Sequence, residues 1–301
     1  MNDRASRIAA LSYDYAAQPK QAVTACNLCG TSRWVVITHV DRYGYPARAT
    51  TCSQCGCTQL NPRMTSEAYT DFYIGTYRPL VSAFHGRLID ARSIQGEQRE
   101  YAAAMIEWVR PFLAPEHQTL LDVGGSTGVI SAEFNRAFGM QCTVIDPAPA
   151  EIAEAEALGI RTITGFIEDL NPAEAQYDFV AMFQTIDHLL DVAATLKTIR
   201  SLLPAHGLFL VDIVDFRAAY LRNRSVEMAV KIDHVYSLTE MTTEAYLARF
   251  GFKWIEKSYS ADHLHVAYLC RPCEPQPDAV PGERAVKELL REIRAVQNTP
   301  A

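Results

Sequence analysis

The chain has 301 residues, of which 49% are hydrophobic, so it can bury a sizeable core and form about two domains. Its formal net charge of −7 argues against nucleic acid or an anionic membrane surface as the main partner. No apolar run approaches the roughly 18 residues of a transmembrane helix, and the polar N-terminus lacks an apolar signal segment, so we expect a cytoplasmic protein.

Two pairs of cysteines follow a polar, alanine-rich arm at residues 1–22. Cys26-Asn-Leu-Cys29 and Cys52-Ser-Gln-Cys55 each have C-x2-C spacing, and a glycine follows each second cysteine. Two C-x2-C pairs can form a tetrahedral Zn²⁺ site, and their four thiolates fill the coordination sphere of the metal. The pattern predicts a structural zinc held by Cys26, Cys29, Cys52 and Cys55. A redox dithiol pair and free cysteines are the alternatives.

The stretch between the two cysteine pairs contains two apolar segments, 34–40 and 45–51, separated by Asp41-Arg-Tyr-Gly44. This pattern predicts a β-hairpin, so the unit resembles a zinc ribbon. A ribbon of this size cannot bury enough surface alone, and the metal would supply its folding energy.

Two helices are expected to bridge this unit to the rest of the chain. The first begins at Thr65 and carries Tyr73; the second runs from about Gly96 to Arg110, where Pro111 ends it. Tyr77 and Arg78 follow the first helix. Aromatic faces attract cations, so Tyr73 and Tyr77 are candidates for contact with a bound ligand, against the alternative of ordinary packing.

The stretch Thr119-Leu-Leu-Asp-Val-Gly-Gly-Ser-Thr-Gly128 predicts a buried strand, a glycine-rich turn and a helix start. Such a turn brings free N–H groups and a positive dipole end close to a ligand. A dinucleotide site requires G-x-G-x-x-G, but Ser126 stands at the second glycine. Asp122 also places a negative charge at the strand end, which suits a cationic ligand better.

A second acidic residue lies at the end of the next strand. Asp146 follows Asp122 by 24 positions, and a carboxylate there can accept both hydroxyls of a ribose. Further strands alternate with helices, which predicts a parallel sheet. They are expected at residues 161–165, 177–183 and 207–214. The segments 253–259 and 263–270 are joined by a short turn and should therefore pair antiparallel.

These motifs resemble those of class I S-adenosylmethionine (SAM) methyltransferases, whose glycine motif is roughly [VL]-[VL]-D-[VI]-G-x-G-x-G. Asp122, Gly124 and Gly128 match it, and Ser126 departs from it. The order of ribbon, helices and core also resembles bacterial methyltransferases of sugar and secondary-metabolite pathways. The resemblance implies a doubly wound Rossmann-like α/β sheet, mostly parallel with an antiparallel last strand, plus a small N-terminal zinc-binding β unit.

The implied function is SAM-dependent methyl transfer to carbon or oxygen of a small-molecule acceptor, with sugars or sugar-linked metabolites as one class. An NAD(P)-dependent oxidoreductase and a non-enzymatic zinc-ribbon interaction module are the alternatives. The expected units are residues 1–63, the arm and ribbon; 64–111, the bridging helices; 112–273, the SAM-binding domain; and 274–301, a linker and C-terminal helix. That helix would dock on the chain itself or pair two chains as a homodimer.

The resemblance also assigns site residues. The residues implied to hold SAM are Asp122, Gly124, Gly125, Gly128, Asp146, Pro147, Phe166, Ile167, Glu168 and Gln184. The residues expected to contact the acceptor are Tyr73, Tyr77, Arg78, Asp215 and Tyr236. His188 and His234 are the candidate bases, because a histidine titrates near neutral pH and can take a proton from the acceptor.

Overall fold

The computed structural model describes residues 3–173 and 175–298 of the chain. The first two residues of the predicted arm and the last three residues of the chain lie outside these ranges. The helices are α1 (Asp3–Ala9), α2 (Ser66–Gly75), α3 (Tyr77–His85), α4 (Gln95–Val109), α5 (Val129–Phe138), α6 (Pro149–Ala157), α7 (Val192–Leu202), α8 (Phe216–Asn223), α9 (Glu240–Arg249) and α10 (Glu283–Gln297). The strands are β1 (Lys20–Gln21), β2 (Trp34–Thr38), β3 (Ala49–Cys52), β4 (Thr58–Leu60), β5 (Arg63–Met64), β6 (Thr119–Val123), β7 (Gln141–Asp146), β8 (Arg161–Thr164), β9 (Phe179–Met182), β10 (Leu208–Val214), β11 (Tyr236–Ser237), β12 (Phe252–Tyr259) and β13 (His265–Pro272).

A seven-stranded sheet with the order β12-β13-β10-β9-β6-β7-β8 forms the centre of the chain. Strands β6 to β10 pair parallel, while β13 pairs antiparallel with both β10 and β12. The inner strands are buried along their length because apolar side chains pack on both faces of the sheet. The predicted Rossmann-like sheet with an antiparallel last strand is confirmed.

A second, four-stranded sheet with the order β11-β4-β3-β2 is built on the cysteine-rich segment. Strands β2 and β3 form the predicted hairpin. The sequence did not indicate β4 or β11, and β11 comes from residues 236–237, far along the chain. The second sheet therefore combines strands of the N-terminal unit with β11, which comes from the part of the chain that forms the larger sheet.

The helices follow local signals in most cases. Thr65 caps α2 by accepting a hydrogen bond from the Ala68 N–H. The C-terminal helix α10 docks on its own chain: Glu292 pairs with Arg217 at 2.7 Å, and Leu289 packs near Gly56. Helices α3, α6 and α8 were not predicted. None of the described helices is both long and apolar enough to cross a membrane.

Candidate functional site

A cavity of about 700 Å³ opens where β6, β7 and β9 reach their carboxyl ends. Parallel strands bring these ends to one edge of the sheet, which is why residues distant in sequence meet there. The cavity brings together thirteen residues expected from sequence. They are Tyr73, Tyr77, Arg78, Asp122, Gly124, Gly125, Asp146, Pro147, Phe166, Ile167, Glu168, Gln184 and His188.

Asp122 supplies a buried carboxyl group to one wall of the cavity. Its Oδ2 accepts a hydrogen bond from the Ser131 hydroxyl at 2.9 Å, while its buried Oδ1 has no partner among the described residues. Burial raises the pKa of Asp122 to about 7. An unpaired, buried carboxylate oxygen is costly, and a cationic ligand in the cavity would relieve that cost. The site therefore fits the positively charged ligand that the sequence predicts.

Asp146 and the glycine-rich turn are linked by direct hydrogen bonds. The Asp146 carboxylate accepts from the Ser126 N–H at 3.0 Å and from the Ala148 N–H at 2.8 Å. Burial raises the pKa of Asp146 to about 6. Ser126 adopts φ of 50°, a conformation that glycine takes more easily, and its hydroxyl donates to Glu151 at 2.7 Å. The serine that departs from the motif is thus accommodated.

Arg78, on α3, approaches the carboxylate of Glu151. Its guanidinium donates to Glu151 Oε1 at 2.9 and 3.2 Å, so Arg78 lines the cavity as one half of an ion pair. The arginine is therefore neutralised before any ligand enters.

At the other end of the cavity, the protonation of His188 can be deduced from its neighbour. The Tyr73 hydroxyl donates to the backbone carbonyl of Asp233 at 2.9 Å and contacts His188 Nδ1 at 2.8 Å. Burial raises the pKa of Tyr73 well above its usual range, so the phenol holds one proton, which it gives to the carbonyl. Nδ1 of His188 must then be the donor, which leaves the lone pair on Nε2.

His188 is a neutral imidazole in this environment. Burial, reinforced by the neighbouring ring of His234, lowers its pKa to about 4. Its Nε2 has no hydrogen-bond partner within residues 3–173 and 175–298. The imidazole can therefore accept a proton from a group in the cavity.

The second candidate base, His234, has both ring nitrogens engaged. Nδ1 contacts the Asp187 carboxylate, and Nε2 lies 3.0 Å from the Lys231 amine. Burial alone would raise the pKa of Asp187, but His234 outweighs it and holds that pKa below its ordinary value. Asp187, His188 and His234 each offer a possible ligand atom within 4.8 Å of the others, which is close enough to ligate a metal ion.

Four of the expected site residues do not line the cavity. They are Gly128, His234, Asp215 and Tyr236. Asp215 instead caps α8 and accepts from the Ala218 N–H at 3.0 Å. Tyr236 is fully buried in β11, and its hydroxyl donates to the Leu190 carbonyl at 3.2 Å. The structure thus gives Asp215 and Tyr236 local structural contacts in place of the expected position beside an acceptor.

Sequence reasoning missed Asp212, which lies under the site. Its carboxylate accepts from the Gln184 N–H and from the Tyr101 hydroxyl, the latter at 2.8 Å, and burial raises its pKa to about 7. It holds the turn after β9, where Gln184 adopts φ of 52°. An acidic residue inside the apolar run Leu208–Val214 was the available signal. Lys231 offered no comparable signal, because its role depends on a contact with His234.

The four predicted cysteines form a cluster that is compatible with a tetrahedral metal site. The ligand atoms of the four predicted cysteines lie within 4.8 Å of one another, with Cys26 and Cys55 sulfurs 3.5 Å apart and Cys29 and Cys52 sulfurs also 3.5 Å apart. Zinc–sulfur bonds of about 2.3 Å place tetrahedral sulfurs about 3.8 Å apart, so both of these sulfur–sulfur distances are compatible with zinc.

Comparisons with known proteins agree with this architecture. A family model described as a methyltransferase domain matches residues 96–257, more than half of the chain. Ubiquinone biosynthesis O-methyltransferases match more narrowly: that of Methylobacterium sp. (strain 4-46) is 31% identical over 105 residues, 32% of this chain and 41% of that protein. The protein of the same name from Bradyrhizobium diazoefficiens is 28% identical over 104 residues. The chain spans about 40% of the length of these curated relatives.

Two solved structures share the fold. A didemethyltoxoflavin N1-methyltransferase from Burkholderia thailandensis, solved with S-adenosylhomocysteine, matches with a TM-score of 0.50 at 17% identity, over 72% of this chain and 96% of that one. The magnesium protoporphyrin IX methyltransferase from Synechocystis, solved with SAM, matches with a TM-score of 0.50 at 13% identity, over 68% of this chain and 96% of that one. The family match and the fold lead to one conclusion: the chain belongs to the methyltransferase-domain family and carries the class I fold of SAM-dependent methyltransferases.

Proposed function

We propose that the protein transfers the methyl group of SAM to an oxygen or carbon atom of an uncharged small-molecule acceptor. The observation that carries this proposal is a single cavity with an unpaired buried carboxylate oxygen on one wall and a neutral imidazole on another. The first suits a cationic methyl donor, and the second suits an acceptor that must lose a proton.

The donor would be held by residues at the ends of β6, β7 and β8. Asp122 Oδ1 is free to accept from the ammonium of the methionine part, and Asp146 retains lone pairs for the ribose hydroxyls. Phe166 and Ile167 border the place where the adenine would lie. When bound, SAM supplies a methyl group already activated by a positively charged sulfur. The protein's task is to align the acceptor with that methyl group and to remove a proton.

Between the two candidate bases, the geometry favours His188. Its free Nε2 and position on the cavity wall allow it to take the acceptor proton, and the Asp187 and Asp233 carboxylates lie close enough to stabilise the imidazolium that forms. Both nitrogens of His234 are already engaged, so we assign His234 to positioning Asp187.

The acceptor should carry no phosphate or other anionic group inside the cavity. The described lining has seven acidic residues and one guanidinium, that of Arg78, which Glu151 already neutralises. The acidic residues are Glu97, Asp122, Asp146, Glu151, Glu168, Asp169 and Asp191. An anionic acceptor would be repelled by these carboxylates, and the described lining offers no unpaired cationic side chain to offset that repulsion. A free sugar, a phenol or another neutral hydroxyl compound satisfies this requirement, whereas a phosphorylated or nucleotide-linked sugar does not if its phosphates enter the cavity.

Two further features complete the proposal. The four cysteines hold a structural zinc ion that stabilises the second sheet, because their spacing fits tetrahedral coordination. The oxidoreductase alternative finds no support in the family match, and the cavity argues against a purely non-enzymatic module.

The proposal is tested in two steps with the full chain. Calorimetry should detect binding of S-adenosylhomocysteine, with affinity at least tenfold weaker in Asp122→Asn and Asp146→Asn. The control is Glu116→Gln, which removes an exposed carboxylate at the opposite edge of the sheet. Labelled SAM is then offered with sugars and phenols, each beside its phosphorylated counterpart. Absence of S-adenosylhomocysteine binding would refute the donor site, and preferential labelling of phosphorylated acceptors would refute the charge argument.

A further inference from the structure

The cysteine cluster is physically tied to the loop that carries His188. Asn27 lies between Cys26 and Cys29, and its side chain makes three hydrogen bonds to distant parts of the chain. Nδ2 donates to Asp191 Oδ1 at 2.7 Å, while Oδ1 accepts from the Ala193 N–H and from the Tyr246 hydroxyl, each at 3.0 Å. One amide thus satisfies groups on two helices, α7 and α9.

The position of Asp191 makes this contact important for the site. Asp191 caps α7 by accepting from the Ala194 N–H at 2.9 Å, and it also lines the cavity. The segment 184–190 immediately before it contains His188. The contacts of Asp191 therefore hold in place the C-terminal end of the segment 184–190, which carries His188.

The other half of the histidine pair is attached to the same N-terminal sheet. Strand β11 begins two residues after His234 and pairs with β4. The Tyr236 hydroxyl in β11 donates to the Leu190 carbonyl at 3.2 Å, next to Asp191. The N-terminal unit thus contacts both histidine-bearing segments at separate points.

We infer that Asn27 is a positioning residue, through which the cysteine cluster orients the His188 segment for proton removal. The inference rests on the methyl-transfer function proposed above. An amide is suited to this position because one group must donate to a carboxylate while accepting from a backbone N–H and a hydroxyl. Neither a carboxylate nor an amine at residue 27 could do both.

The test compares Asn27→Ala with Asn223→Ala, which removes an exposed asparagine at the end of α8. A second variant, Asp191→Ser, removes the acceptor of the Asn27 amide while retaining a side chain that caps helices well. Each full-length variant is analysed for zinc content, S-adenosylhomocysteine affinity and hydrogen exchange. The titration of the His188 imidazole is followed by NMR.

In Asn27→Ala and Asp191→Ser, amide exchange at residues 186–195 should accelerate at least tenfold while residues 119–128 keep their wild-type rates. The His188 pKa should rise toward 6.5 as the ring becomes less buried. In Asn27→Ala, zinc content and S-adenosylhomocysteine affinity should match those of Asn223→Ala. Unchanged exchange and titration in both variants would overturn the inference, as would acceleration spread evenly over the chain. If Asn27→Ala does not fold, Asp191→Ser decides. Failure of the wild type to bind S-adenosylhomocysteine would refute the proposed function instead.

Discussion

Replacing Gly128 with alanine should destabilise the protein at the turn that shapes the donor site. Gly128 has φ of +70°, and an added Cβ would lie 2.6 Å from the Ala155 Cβ and 3.0 Å from the Ala155 Cα on α6. The left-handed conformation costs an L-residue roughly 1–2 kcal/mol. Forcing a methyl group against packed atoms adds typically about 1–3 kcal/mol, and here one of them is backbone that cannot rotate away. We expect the free energy of unfolding to fall by about 2–5 kcal/mol.

Gly159 offers a matched control. It has nearly the same backbone conformation, φ of +76°, but its added Cβ would meet no atom within 4 Å. Gly159→Ala should therefore show only the conformational part of the loss, roughly 1–2 kcal/mol. The difference between the two variants isolates the contact with α6.

Equilibrium denaturation by guanidinium, followed by fluorescence, measures the loss of unfolding free energy in both variants. The dependence of that free energy on denaturant concentration should keep its wild-type slope. Combining Gly128→Ala with Ala155→Gly removes the closest methyl group but leaves the Ala155 Cα, so the double variant should recover part of the loss beyond additivity. Equal losses for Gly128→Ala and Gly159→Ala, or strict additivity in the cycle, would show that the packing argument is mistaken.

Four other predictions concern charge and metal. Burial raises the Asp122 pKa from 3.8 to about 7, so the Asp122 carboxyl of the ligand-free protein is protonated below pH 7. Calorimetry should therefore show SAM affinity falling up to tenfold for each pH unit below pH 7. The same shift means that stability is lost as pH rises from 3.8 to about 7, so Asp122→Asn should make the ligand-free protein melt higher than the wild type at pH 8 but not at pH 3.5. Lys231→Met leaves His234 Nε2 without its donor and should lower stability by roughly 1–3 kcal/mol in urea, whereas the exposed Lys287→Met should be neutral. Stripping zinc with a chelator and a thiol reagent should unfold β2–β4 by circular dichroism; a wild-type spectrum without metal would contradict the structural role.

The sequence was informative where the chemistry is carried by short-range patterns. Asp122 and Asp146 stand at the ends of apolar runs, and both reach the cavity because parallel strands end at one edge of a sheet. The cysteine spacing likewise predicted a cluster that the fold assembles. In each case a local signal and a general rule of architecture were sufficient.

The remaining features depend on contacts that no local pattern encodes. Asp215 and Tyr236 follow β10 in sequence and were expected near an acceptor, but Asp215 is used as a helix cap and Tyr236 is drawn into the second sheet. The choice between His188 and His234 required the Tyr73 hydroxyl and the Lys231 amine, which approach from different segments. Side-chain hydrogen bonds of this kind become visible only once the chain has folded.

The origin of β11 also sets an order of events during synthesis. The cysteine-rich sheet cannot acquire its outer strand until residue 237 has left the ribosome. The edge of β4 therefore stays uncovered until most of the chain has been synthesised. An exposed edge of β4 is meanwhile open to pairing with other nascent chains. Any effort to transplant the N-terminal unit onto another protein must therefore bring residues 236–237 with it.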